Sequence, residues 1–388
     1  VSDGVLIAGG GVIGAATAYF LAARHGLRAT VLERDPTYGR ASSALSASSI
    51  RQQFSTEINI RLSQASLAFY RRIGDELAVG DLRPDIALTE RGYLFLATAA
   101  GVETLRANHA LQTACGAHVS LLDRAALQAR LPWLATDDLA AGSLGESGEG
   151  WFDGYSVLQA FRRKAIALGA RFVATDVDRI EARRGRVLAV HGGDGSTHGC
   201  EALLIAAGAW SAPLARQLDF ALPVRARKRD VFVFSTPARL PGCPLVIDPG
   251  GVWFRPEGRG FIAGGPPRSE DIDDAPLEAI DHGLFDDVIW PALARRVPAF
   301  DALRATGAWA GYYEYNTFDQ NGVVGQVPGF DNAFIGCGFS GHGIQQAPAV
   351  AQALAELIAL GRYEALDLAP LAPQRIIEQR PLAERNVI

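Results

Sequence analysis

The chain opens on a hydrophobic run whose period changes twice. Residues 5–8 are uniformly apolar, as in a strand buried on both faces. Glycines at 9, 10 and 11 interrupt the run, apolar residues then recur at helical spacing from 12 to 25, and a second apolar tetrad at 29–32 ends on Glu33. Strand, glycine turn, helix and strand in that order predict a βαβ unit with parallel pairing. Residues 5–23 carry no charge, so a membrane span or a signal peptide has to be considered. Three consecutive glycines would break a spanning helix, Asp3 stands where a signal peptide needs basic residues, and no small-residue cleavage site follows.

Further along, residues 35–49 are rich in Ser, Gly and Ala, and 56–73 return to a helical pattern. A short strand at 92–97, a helix at 102–116 and a Pro/Asp/Gly-rich stretch at 132–150 suggest a separate lobe. Residues 156–168 read as a helix, 171–175, 177–182 and 187–190 as alternating strands, and 202–206 as a buried strand running into Ala207-Gly208. Three β-like runs at 231–235, 252–255 and 260–263 suit an antiparallel sheet. The last third predicts a strand at 333–335, a loop at 336–343 and a helix at 346–360. The expected fold class is α/β, a Rossmann-type domain interleaved with a second α+β domain built on an antiparallel sheet. No internal repeat or low-complexity tract interrupts it.

Composition narrows the function classes. A chain of 388 residues exceeds the usual single-core range, so two domains are expected. The formal charge of −5 gives no footprint for nucleic acid. The exception is the basic run Arg225, Arg227, Lys228 and Arg229, read as a solvated strand end. Cys115, Cys200, Cys243 and Cys337 are too scattered for a zinc site or a disulfide framework, so a reducing, cytoplasmic setting is the expectation. The chain contains no methionine, which is unusual at this length.

The strongest chemical signal is Gly9-x-Gly11-x-x-Gly14. Gly9 permits a tight turn, Gly11 lets backbone approach a pyrophosphate, and Gly14 allows close packing of helix on strand. The helix that opens there offers the N–H groups of Val12 and Ile13 and its positive dipole end to phosphates. Glu33, at a strand end, is placed to bind ribose hydroxyls, and its charge disfavours a 2′-phosphate, although Arg34 lies beside it. The pattern alone does not separate FAD from NAD. The run 40–49, with Ser42, Ser43, Ser48 and Ser49, offers hydroxyls and backbone N–H groups for phosphates and a flavin, or else is a flexible linker. Gly208 and Trp210 follow a buried strand and give a second close approach of backbone. Gly338-Phe339-Ser340-Gly341-His342-Gly343 precedes a long helix, whose N-terminus would favour the charge a flavin gains on reduction.

These segments together resemble the D-amino acid oxidase superfamily of FAD enzymes, which includes sarcosine oxidase, glycine oxidase and dimethylglycine dehydrogenase. The likeness covers nearly the whole chain and is weakest at 74–150. Residues 309–322 (Trp-Ala-Gly-Tyr-Tyr-Glu-Tyr-Asn-Thr-Phe-Asp-Gln-Asn-Gly), 338–348 and the ending Glu384-Arg385-Asn386-Val387-Ile388 resemble more narrowly the mitochondrial FAD-dependent oxidoreductase-domain proteins that assist assembly of respiratory complex I. The resemblance implies FAD contacts at Gly9, Gly11, Val12, Ile13, Gly14, Glu33, Arg34, Ser42, Ser43, Ser48, Ser49, Val177, Gly208, Trp210, Gly311, Gly338, Ser340, Gly341, His342, Gly343, Ile344 and Gln345. It implies an FAD-binding domain from 1–80, 150–222 and 305–388, and a substrate domain from 81–149 and 223–304.

By position, Arg51 stands where sarcosine oxidase has an arginine that grips the substrate carboxylate; a surface arginine is the plainer alternative. Three departures stand out. Gln345 replaces a second carboxylate-binding lysine, Ile262 replaces the lysine that promotes reaction with oxygen, and Tyr312 replaces a cysteine bound covalently to flavin. His342 is expected beside the flavin or as a loop-fixing histidine, and Tyr312, Tyr313 and Glu314 face the same cavity or form a packed cluster. The resemblance thus implies a non-covalent FAD enzyme oxidising the C–N bond of a small amine or N-alkyl amino acid. A quinone or electron-transfer protein is the expected acceptor, with no nucleic-acid partner and no membrane span. Its alternative is an FAD-containing assembly factor with incidental activity.

Overall fold

The computed structural model describes residues 4–269 and 272–386, so Val387 and Ile388 lie outside the described residues. The opening unit forms as the pattern predicts. Strand Val5–Ala8 pairs in parallel with Ala29–Glu33 on one side and Ala202–Ile205 on the other. Helix Val12–His25 connects the first two, and its residues 12–21 are all buried. Burial nearly all round suits an alanine-rich helix pressed between the sheet and two further helices. It stops at Gly26, whose φ of 66° supports a left-handed cap with its N–H on the Leu21 carbonyl. The full sheet has six strands, adding Arg171–Ala174, Ala333–Cys337 and the antiparallel edge Val323–Gln326.

Helix Gly343–Leu360 packs against the first helix and begins three residues before the predicted start. It carries Pro348 in its interior, which removes the N–H that would bond the Ile344 carbonyl. The Tyr70 hydroxyl, on helix Glu57–Tyr70, donates to that carbonyl instead. The freed acceptor is therefore satisfied from a neighbouring helix, and the proline costs less than its usual penalty.

A second sheet of eight strands stands over the first. Across it run Arg304–Asn316, Val224–Ser235, Gly260–Gly264, Trp253–Glu257, Leu245–Ile247, Tyr93–Ala97, Ala141–Gly145 and Val119–Asp123. All neighbours pair antiparallel except Leu245–Ile247 with Tyr93–Ala97. One face packs on an apolar core with Phe232, Phe234, Phe254 and Phe300, backed by helix Trp290–Arg296. The other face looks toward the glycine turn.

One expectation changes. The long strand Arg304–Asn316 pairs along its length with Val224–Ser235 in the second sheet, so residues up to 316 go with that sheet and not with the FAD-binding segment expected from 305. The basic run, expected at a solvated strand end, forms the opening of strand Val224–Ser235, with Arg225, Arg227, Lys228 and Arg229 all partly exposed. There Asp273 pairs with Arg225 and Arg227, at 3.4 and 2.8 Å, and Asp230 pairs with Lys228 at 3.0 Å. Two carboxylates shared among three cations offset part of the charge repulsion that the sheet would otherwise hold.

Candidate active site

The glycine turn is built by contact. A Cβ on Gly9, whose φ is 105°, would stand 2.4 Å from the Ala206 carbonyl oxygen, and one on Gly14 would stand 2.0 Å from the Gly9 oxygen. Both glycines are demanded by the protein's own packing. Gly11 is not: the nearest atom to its missing Cβ is the Ser43 hydroxyl at 3.6 Å. The space above it is open, and helix Val12–His25 has no side-chain cap there. Its first N–H groups are left to a ligand. Glu33 sits alongside, its two carboxylate oxygens accepting from the N–H groups of Gly10 (2.8 Å) and Asp35 (2.9 Å).

A cavity of about 420 Å³ runs from this turn, between the two sheets, to Arg51 and Tyr93. Every residue predicted for the site lines it except Gly14 and Gly338. Gly14 is behind the turn, and Gly338, with a φ of 78°, packs on Val224. Near the glycine turn, Arg34 lies 3.7 Å over the Trp210 ring, and Trp210 meets Tyr312 edge-on at 5.7 Å. Further in, Gly343–Leu360 presents a second uncapped helix N-terminus to the same cavity. Two wall atoms, the Ser42 hydroxyl and His342 Nε2, are buried without a protein partner. An elongated cavity with two free helix N-termini, an acid at one end and orphaned polar atoms along its wall fits a dinucleotide with a ring system at the far end.

The far end is assembled from distant parts of the chain. Arg51 is buried, which rules out the surface reading. Its guanidinium lies 3.9 Å over the Phe54 ring and donates to the carbonyls of Gln53 and Asn386. Burial pushes its pKa down, countered by Tyr93, Glu384, Glu149 and Tyr313. Two buried carboxylates hold its segment from opposite sides. Glu149 accepts from the N–H groups of Gln52 (2.6 Å) and Gln53 (3.1 Å) and from the Gln53 side chain (2.8 Å). Glu384 accepts from the Ser55 N–H (2.8 Å) and from Thr56 (2.8 Å) and Asn59 (3.0 Å). Burial drives Glu149 up to about 7, whereas in Glu384 the hydrogen bonds and Arg51 outweigh burial and hold it below the ordinary value.

His342 lies edge-on to Phe54 at 5.3 Å, and burial, reinforced by Arg51, pushes its pKa down to about 3. It is a neutral imidazole at physiological pH, and its buried Nε2 has no protein partner. Glu314 also faces the cavity, raised by burial to about 7 despite the N–H groups of Gly338 and Phe339.

The three departures take physical form. The Gln345 side-chain oxygen accepts the Arg51 backbone N–H at 2.9 Å, so it fixes the arginine. Ile262 is buried and off the cavity wall, while Arg255, directly across the ladder from it, donates to the Ala47 carbonyl at 2.7 Å. The Tyr312 hydroxyl donates to the Ala275 carbonyl at 2.7 Å, and among the described residues no cysteine lines the cavity. Sequence reasoning missed Tyr93, Trp253, Glu149 and Glu384. Glu384 stood in the ending that carries the family likeness but without a role, no motif marks the other three, and only the alternation of strand 93–97 would have turned Tyr93 inward.

No helix of the described residues is long and apolar enough to cross a membrane. The family model for FAD-dependent oxidoreductases (DAO) matches residues 4–357. FAD-dependent oxidoreductase domain-containing protein 1 of Xenopus laevis is 40% identical over 99% of this chain and 84% of its own length. Glycine oxidase of Geobacillus kaustophilus is 27% identical over 96% of this chain and 97% of its own. Among solved structures, L-proline dehydrogenase from P. horikoshii superposes with a TM-score of 0.86 at 26% identity, covering 98% of this chain and 99% of that one. The glycine oxidase structure from Geobacillus kaustophilus gives 0.82 at 26%, covering 96% and 98%. With the glycine turn, Glu33 and the two open helix ends fitting its cofactor, the chain belongs to the DAO family of FAD-dependent oxidoreductases.

Proposed function

We propose that the chain oxidises the C–N bond of a small amine or amino acid bearing a carboxylate. The observation that carries this is Arg51, a buried guanidinium at the far end of the cavity, with only two of its five N–H donors given to backbone carbonyls. The rest suffice for a forked grip on a carboxylate. The Glu33 side chain would hold the ribose of FAD, the first helix N-terminus its pyrophosphate, and the segment at 340–345 its ring. Bound FAD supplies the hydride acceptor.

The chain's own groups do the rest. Arg51 fixes the substrate by its carboxylate, which converts the encounter into an oriented, near-attack arrangement. The second sheet covers the site and excludes water. His342, held neutral, presents Nε2 to the uncharged amine. As the α-hydrogen leaves with its electron pair, the nitrogen lone pair forms the C=N bond. Water then adds to the iminium carbon and releases a carbonyl compound and the amine.

A dehydrogenase passing electrons to a quinone or an electron-transfer protein is favoured over an oxidase, because position 262 carries no cation. The test is anaerobic mixing of the FAD-loaded protein with a panel of N-methyl and secondary amino acids. Bleaching of the flavin absorbance with release of a carbonyl product is expected. A panel that leaves the spectrum oxidised would favour the assembly-factor reading, which draws on the higher identity to the FAD-dependent oxidoreductase domain-containing proteins.

A further inference from the structure

The second sheet places one apolar row beside the arginine. Phe95 pairs with Ile247, Ile247 with Trp253, Trp253 with Gly264, and Gly264 with Val231. Directly paired residues share a face, so these five form a single stripe across five strands. At about 4.8 Å per strand the stripe spans about 19 Å. Its first member, Phe95, has the Arg51 guanidinium 5.5 Å from its ring centre. Ile247, Trp253 and Val231 all line the cavity.

Gly264 explains how the stripe is kept flat. A Cβ there would meet the Trp253 indole at 2.8 Å, so the ring occupies the space over the neighbouring strand. The indole thereby bridges from Ile247 toward Val231. A one- or two-carbon substrate such as glycine would leave this surface wet. We infer that the substrate carries an extended apolar side chain, aliphatic or aromatic, laid along Ile247, Trp253 and Val231 from a carboxylate held at Arg51. This rests on the oxidation reading above and adds the class of side chain to it. Trp253 is then a specificity-determining residue.

Simple carboxylic acids lack the amine and cannot be oxidised, so they report binding without turnover. Acetate, 4-methylpentanoate and 3-phenylpropanoate are titrated into the FAD-loaded protein, and Kd is read from perturbation of the flavin spectrum. Each buried methylene strengthens binding roughly threefold to fourfold. The two longer acids are therefore expected to bind at least about tenfold more tightly than acetate. Trp253→Ala should collapse that ratio toward one, and Trp253→Phe should restore most of it, which separates lost contact from lost folding. Acids that bind equally at every length would overturn the side-chain inference and leave the oxidation reading standing. If none of the three acids perturbs the flavin, the carboxylate grip at Arg51 and the side-chain inference are both overturned.

Discussion

Removing the Arg51 guanidinium separates a carboxylate clamp from a structural arginine. The side chain is buried, stacked 3.9 Å over Phe54, and tied to the carbonyls of Gln53 and Asn386. Arg51→Ala therefore has two effects. It leaves those two carbonyls short of a donor and opens space beside Phe54, a loss of about 1–3 kcal/mol in stability that any substrate would feel alike. It also removes the fork to the substrate carboxylate. Two hydrogen bonds to a charged group, at roughly 1.5–3 kcal/mol each, less what water returns, come to about 3–4 kcal/mol. At 1.36 kcal/mol per tenfold, kcat/KM for a carboxylate-bearing amine should fall by about two to three orders of magnitude. An amine of the same shape without the carboxylate should lose no more than about tenfold, the structural share alone. Arg51→Lys keeps the charge but not the planar fork, and is expected to recover part of the difference. The assay is steady-state kinetics of the three proteins on the matched pair of amines, with FAD content and Tm measured alongside. Equal losses on both amines would refute the clamp and leave Arg51 as a packing residue.

Glu33→Ala should weaken FAD binding by on the order of 1–3 kcal/mol, measured by fluorescence titration of the apoprotein, because the ribose loses a charged acceptor; an unchanged affinity would place the adenosine half elsewhere. Acid precipitation should leave all the flavin in the supernatant, since Tyr312 is engaged with Ala275 and no cysteine lines the cavity among the described residues; colour in the pellet would contradict this. Glu149 is protonated more readily in the folded chain, at about 7, than in the unfolded one, near 4.5, so the folded state holds the extra proton between those values. Stability should accordingly fall as pH rises through that window, by about 3 kcal/mol, and level off above it. Glu149→Gln should flatten the dependence of Tm on pH between 5 and 7, and an unaltered slope would assign the proton to another group. Stopped-flow reoxidation of the reduced protein in air should be slower than substrate reduction and accelerate with a quinone; oxygen as fast as the quinone would show that Arg255, across from Ile262, serves in its place.

The cofactor half of the site was legible because its chemistry is local. Gly9, Gly11, Gly14 and Glu33 act through backbone geometry fixed within a single βαβ unit, and a glycine pattern followed by a carboxylate at a strand end is visible in one pass along the chain. The loop at 338–343 was legible for the same reason, although its helix starts earlier than the apolar period indicates, at Gly343, with Ile344 and Gln345 already buried by tertiary contact. The long strand Arg304–Asn316 was not found as a strand. Its first four residues are exposed and its middle is polar and aromatic, so it shows no clean alternation; pairing with Val224–Ser235 over twelve positions makes it a strand. The acidic partner of the basic run was hidden for a related reason, since Asp273 lies more than 40 residues away in sequence and becomes a neighbour only on folding.

The substrate half depends on contacts of that second kind throughout. Arg51 was found by likeness to a family, but what makes it a fixed clamp comes from elsewhere: Glu149 from the lobe between the sheets' strands, Gln345 from the last long helix, and Glu384 with Asn386 from the end of the described chain. Each of these groups accepts a hydrogen bond from a backbone N–H or side chain of residues 51–59. The irregular segment carrying Arg51 is thus held to one geometry by carboxylates on either side, much as a turn is held by capping side chains. Such an arrangement lets the wall facing Arg51, with Ile247, Trp253 and Val231, change without disturbing the grip. Cofactor position is set by the glycine turn, carboxylate position by the braced segment, and side-chain preference by one row of a sheet. Because the three are built on separate elements, substitutions at Trp253 should shift preference among acids while Glu33 and Arg51 variants shift FAD affinity and carboxylate dependence. An alteration of Trp253 that changed FAD affinity as much as acid preference would show the three to be one coupled unit.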